Sequence, residues 1–179
     1  MRKRRCGTRR LGRRRTDVIA LGAAATVALA DWMIHYRRPR WILIALYDHP
    51  AHVATAGLMA LNLPRRSPRW HAGFMAGSLL PDVDHVPLAL AEEHPTPGTR
   101  RPATHCLLAA APLFALARAT GSELLDGAAW GTVAHFARDV SIPPGAPLLR
   151  PFHDDDLIVP YPVYALALAG LTALALARD

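Results

Sequence analysis

WILIALYDHPAHVATAGLMALNL, residues 41–63, decides the fold. Ala and Leu outnumber β-branched residues here, so the stretch reads as a helix and not a strand. It is apolar enough to sit in a membrane or a protein core, yet Asp48, His49 and His52 stand inside it. Ionisable groups are costly in such surroundings unless they pair with one another or hold a metal. Pro50 kinks the helix or restarts it after a short break. On a helix Asp48 and His52 share a face, with His49 off to one side. His52 therefore reads as a metal ligand, and Asp48 as a second ligand or as the carboxylate that orients it.

Ionisable residues in apolar sequence recur at three places downstream, twice as Asp with His and once as His alone. Asp82, Asp84 and His85 lie in LLPDVDH, His105 in PATHCLL, and His135 and Asp139 in AHFARD. Pro81 ends the preceding helix and stiffens the approach to the two aspartates. His135 and Asp139 are four apart, so one helix face presents a nitrogen and a carboxylate together. Each motif has a plainer reading: Asp82 or Asp84 as a helix N-cap, His135–Asp139 as an ordinary side-chain contact, and His105 as a structural residue behind an N-capping Thr104. Together they supply several imidazoles and carboxylates from four segments, enough for one metal or a close pair. Such ligands suit zinc, with manganese or iron as alternatives. His71, His94 and His153 are weaker candidates, and Asp154–Asp156 reads as a solvated helix start.

The 179 residues suit one domain, 51% of them hydrophobic and only 20% charged. The net charge of +7 is concentrated: nine Arg and Lys fall within the first fifteen positions, and the rest of the chain is slightly acidic. The expected division is a basic, disordered cytoplasmic tail over 1–16 and a single helical membrane-associated domain over 17–179. No aromatic residues interleave with the arginines, so specific nucleic-acid binding is not expected. A basic head followed at once by an apolar segment points to the membrane and to a cytoplasmic N-terminus. Apolar helices are expected over 18–34, 41–63, 103–119 and 157–177, three or four of them membrane-embedded, with further helices over 70–80 and 123–140. Gly73 and Gly77 give one of these a smooth face for close packing. Loops are expected over 86–102 and 141–156. Cys6 and Cys106 offer neither a disulfide framework nor a thiolate metal site. No nucleophile elbow, phosphate loop or dinucleotide fingerprint occurs, so metal-activated water fits better than a covalent intermediate.

The ordered series DHPAHVATAG, GSLLPDVDH, PATHCLL and GTVAHFARDVSIPPGAPLLRPF resembles the YdjM-like family over roughly residues 48–152. That family is described as LexA-regulated, inner-membrane-associated, metal-dependent hydrolases. The resemblance implies His52, Asp82, Asp84, His85, His105, His135 and Asp139 as metal-site residues. It also implies an all-α bundle with several membrane-embedded helices, distantly similar to zinc-dependent phospholipase C and single-strand nuclease folds. The chain departs from the family pattern at HRxxTHS, which here reads RRPATHC, with Arg100 in place of the first His and Cys106 in place of the Ser.

The expected activity is hydrolysis of phosphoester bonds in a phospholipid or lipid-linked phosphate at a multi-pass inner-membrane protein. Asp82 or Asp84 would take the proton of water, and Arg100 or Arg101 would clamp the phosphate. The competing expectation is a non-catalytic membrane protein whose metal or His/Asp network braces the bundle.

Overall fold

The structure, a computed structural model, describes residues 4–37, 41–64, 66–85, 101–102 and 104–178, with side chains described from residue 13 in the first helix and residue 44 in the second. Among these residues there are six α-helices and no strand, only an isolated bridge between Ala146 and Leu157. Helix α1, Arg4–Trp32, closes in a π turn, Met33–Arg37. It takes in most of the basic head.

Helix α2, Trp41–Asn62, is the central element and runs through Pro50 without restarting. One of its faces meets α1 and the last helix, α6 (Tyr161–Ala177), through Ala51 and Ala54 against Val27, Ala30 and Tyr164. Leu58 continues that seam against Ala20 and Ala175. Its opposite face packs Ala56 and Ala60 on Trp70, Phe74 and Ala134. The alanines let backbones approach closely, while the aromatic side chains supply apolar burial of about 1.5–3 kcal/mol for a Phe. The outer faces of α1 and α6 leave Val18, Leu21, Leu29, Leu166 and Leu174 exposed.

Helices α3 (Pro68–Gly77) and α5 (Glu123–Asp139) run parallel and touch backbone to backbone. Their capping serines start them side by side. Ser67 Oγ accepts from Trp70 N, Ser122 Oγ accepts from Leu125 N, and Ser67 Oγ also donates to Glu123. Beyond the caps, Gly73 and Gly77 face α5 while Gly127 and Gly131 face α3. A Cβ at any of the four would lie 2.0–2.1 Å from a carbonyl oxygen of the other helix. The smooth face expected of α3 is thus matched by an equal one on α5.

The expected helix over 103–119 is shorter. Helix α4 spans Ala111–Thr120, preceded by a 3₁₀ turn over Leu107–Ala110. Cys106 is extended, and Leu107 N bonds to Leu148 O in the 141–156 loop instead of opening a helical ladder. Thr104 is consequently not an N-cap. The 86–100 segment lies outside the described residues, and with it His94 and Arg100.

Of the three or four embedded helices expected, one is long and apolar enough to cross a membrane among the described residues, over Arg13–Arg37. Apolar helices over Leu107–Thr120 and Tyr161–Ala177 are shorter.

Candidate metal centre

The glycine crossing positions the first half of the site. His135 follows Gly131 by one turn of α5, and Ser78 directly follows Gly77. This puts His135 Nδ1–H on the Ser78 carbonyl, 2.8 Å away. With its hydrogen on Nδ1, His135 turns the Nε2 lone pair inward, where it meets Asp139 Oδ2 at 2.9 Å. Two lone pairs at that separation require a proton or a cation between them. His52, from the middle of α2, stacks on His135 with ring centroids 3.8 Å apart and approaches Asp139 Oδ1 at 3.5 Å. His52, His135 and Asp139 are each at most 1% exposed.

The second half comes from non-helical backbone. Pro81 opens a 3₁₀ turn, Pro81–Asp84, that swings Asp82 into the interior. Asp82 Oδ1 lies 3.4 Å from His85 Nδ1, 3.5 Å from His105 Nε2 and 3.6 Å from His135 Nε2. His105 Nε2 also reaches Asp139 Oδ2 at 3.7 Å, so the two halves adjoin. Asp84 lies behind His105, with Oδ2 3.5 Å from its Nδ1. That is the position of a carboxylate that orients an imidazole whose other nitrogen faces the metal.

Two sets of donor atoms, His52/His135/Asp139 and Asp82/His85/His105, lie within 4.8 Å of one another inside each set. The donor chemistry fits a divalent cation. The Nε2 atoms of His52, His105 and His135 are buried and form no hydrogen bond among the described residues. Buried polar atoms are otherwise satisfied almost without exception. Burial disfavours charge on His105, but Asp82 and Asp84 outweigh it and push its pKa up to about 9. Asp82, despite burial, is held well below the usual carboxylate range by His105, His49 and His85. A cation entering at neutral pH therefore displaces a proton from His105.

Six of the seven expected metal residues carry these two donor sets, and Asp84 stands outside both. Arg101 donates Nε–H to Gly145 O and pairs through Nη1 with Asp139 Oδ1, both at 2.9 Å. Arg100 lies outside the described residues. His153 is exposed beside Asp155, and His71 donates Nδ1–H to Ser67 O, away from the centre.

Three partners were not marked by the sequence as site residues. His49 is half-exposed and touches Asp82 Oδ2 through Nε2 at 3.3 Å, because the helix turns it toward the 3₁₀ turn that Pro81 creates. Arg138 is fully buried and reaches Asp48 Oδ1 through Nε (2.9 Å) and Nη2 (2.8 Å), and Asp31 Oδ1 through Nη1 (2.7 Å). Asp48, so held, stands 3.5 Å from His52 Nε2. Asp31 was legible only as one acid within an apolar segment.

Purified protein is expected to carry a transition metal that the H135A/D139A double variant loses. Elemental analysis of the two side by side checks this, and equal metal content would remove both residues from the centre.

The family model described as YdjM inner membrane protein matches residues 44–177, and the chain belongs to that family. The match runs past the stretch that carried the resemblance, through α6. Neither the curated proteins nor the solved structures contain a match.

Proposed function

We propose that this inner-membrane protein is a metal-dependent hydrolase of phosphoester bonds in lipid-related substrates. One observation carries the reading: two His/Asp donor sets adjoin, one sealed in the interior and the other open at its edge. His52, His135 and Asp139 are closed off, whereas the side chain of His85 is 36% exposed. A purely structural site is closed on all sides, while a catalytic one keeps an accessible position.

A divalent cation, zinc by its donor set, supplies Lewis acidity that lowers the pKa of water and neutralises charge on a phosphoryl oxygen. The chain's own groups do the rest. Arg101 has five N–H donors, and among the described residues its contacts to Gly145 and Asp139 engage the Nε and Nη1 sides. Its Nη2 group is left to bind and orient a phosphate oxygen. Asp84, outside both donor sets, lies 3.5 Å from both His105 Nδ1 and His85 Nδ1 and would orient these two imidazoles toward the cation. Asp82 joins the two sets and fixes the distance between them.

The membrane setting supports a lipid-related substrate. The exposed apolar faces of α1 and α6 and the concentrated basic head fit a multi-pass arrangement with a cytoplasmic N-terminus. The test is a phosphoesterase screen in detergent and in lipid with added zinc or manganese. D82A is expected to lose both metal and activity. D84N is expected to lose about 10–100-fold in metal affinity or activity, the usual cost of removing a carboxylate that orients a ligating imidazole. Activity unchanged in D82A would sink the mechanism.

The near-complete burial of His52, His135 and Asp139 favours a second reading, in which a fully protein-ligated metal braces α2 against α5. On that reading metal removal melts the bundle, and the metal-loaded protein shows no phosphoesterase activity on any substrate of the screen.

A further inference from the structure

Helices α1, α2 and α3 enclose an apolar groove of about 760 Å³, within the range of small-molecule sites. Ile19 and Ala23 form one wall, Met75 and Leu79 the other, and Val53 and Gly57 the floor. Among the described residues no Asp, Glu, Lys or Arg lines it. Gly57 faces open space, since a Cβ added there meets nothing within 4 Å. Of the three polar side chains in the lining, Thr26 and His71 bond back to carbonyls one turn earlier, those of Gly22 and Ser67, whereas His49 touches Asp82 Oδ2 at 3.3 Å, so the channel leads at His49 to the open donor set.

The groove follows one face of α2 from His49 to Leu61, about 18 Å at the rise of an α-helix. That is close to one leaflet of hydrocarbon, about half of a 30 Å core. A slot of this length, mostly apolar and meeting a carboxylate through His49, matches a single unbranched acyl chain whose headgroup stops at His49.

We propose that the groove holds one acyl chain of a membrane phospholipid, with its phosphate end at His49 beside Asp82. This rests on the hydrolase reading for the role of the phosphate, while the chain site itself makes no use of catalysis. Lipid in the groove would present its phosphate from the side of His49 and His85, the open edge of the centre.

The test uses full-length protein in nanodiscs of phosphatidylethanolamine and phosphatidylglycerol, doped with phosphatidylglycerol bearing a diazirine on its acyl chain. After irradiation, the labelled residues are mapped by mass spectrometry. Label is expected on Val53, Gly57 and Met75 in the wild type. It is expected to disappear in Gly57→Leu, which fills the groove, and to persist in Gly170→Leu, which adds the same side chain at another open position on α6. Label spread evenly over the outer faces of α1 and α6, unchanged by Gly57→Leu, would overturn the site. So would displacement of the label by a polyprenyl phosphate but not by unlabelled phosphatidylglycerol. The wild-type map decides even if Gly57→Leu folds poorly. Groove labelling without phosphoesterase activity sinks the hydrolase and keeps the chain site. Activity on a water-soluble phosphoester without groove labelling does the reverse.

Discussion

Gly131→Ala is expected to push α3 and α5 apart, lower the stability of the fold and weaken metal retention with it. The new methyl carbon would lie 2.1 Å from Phe74 O and 2.9 Å from Ser78 N, both rigid backbone atoms. Helices must separate by more than about 1 Å before such a contact becomes ordinary, and overpacking of this kind costs about 1–3 kcal/mol or more. Because no flexible side chain can give way, the upper end applies. For a domain of this size that lowers Tm by roughly 10 °C. The separation also pulls Ser78 O away from His135 Nδ1, releasing the ring that points at Asp139. Gly57→Ala is the matched control: the same substitution in a helix, into open space, should gain up to ~1 kcal/mol of helix propensity. Thermal unfolding in detergent with elemental analysis of both variants checks the pair. A Gly131→Ala protein as stable and as metal-rich as Gly57→Ala would mean that the glycines do not set the distance between the two helices.

That contrast shows which parts of the fold could be read in advance. Helical segments were legible because Ala/Leu composition and Pro/Gly breaks act locally. The serine caps and the four-residue spacing of His135 and Asp139 act over a single turn, so their geometry follows from the helix itself. Gly73 and Gly77 announced a close approach, but not to which helix; only the pairing with Gly127 and Gly131 reveals the partner. Placement of His105 failed for a non-local reason: its backbone neighbour Leu107 bonds to Leu148, some forty residues away, which no periodicity encodes. The donor residues were recognisable as costly polar groups in apolar sequence. Their sorting into a sealed set and an open set depends on the 3₁₀ turn at Pro81, as does the contact of His49 with Asp82. Asp84 was grouped with its neighbour Asp82 by sequence proximity, yet a 3₁₀ turn points the two carboxylates to different sides of His105.

Arg138 tests whether helices α1 and α6 and the candidate metal centre are one cooperative unit. Its side chain is 0% exposed and is held between Asp31 on α1 and Asp48 on α2, with the Tyr164 hydroxyl of α6 at 3.4 Å. Tyr164 bonds in turn to Thr55 at 2.8 Å, and Tyr161 donates to Asp31 at 2.8 Å. One guanidinium from α5 therefore joins three other helices. Arg138→Met conserves much of the volume but leaves two carboxylates without their cation, a change that costs about 3–5 kcal/mol when such a pair is buried. Lysine is not expected to substitute, because a single ammonium cannot reproduce the fork that meets Asp31 and Asp48 on separate sides. The triple variant D31N/D48N/R138M removes all the charge together and is expected to recover most of the lost stability. Metal content separates this role from a merely local one. Asp48 sits 3.5 Å from His52, so its release in Arg138→Met should weaken metal retention even in molecules that remain folded. Thermal unfolding of the single and triple variants, with metal analysis of the folded fraction, provides the measurement. If Arg138→Met is as stable as the wild type, the buried network is not what binds α1 and α6 to the centre.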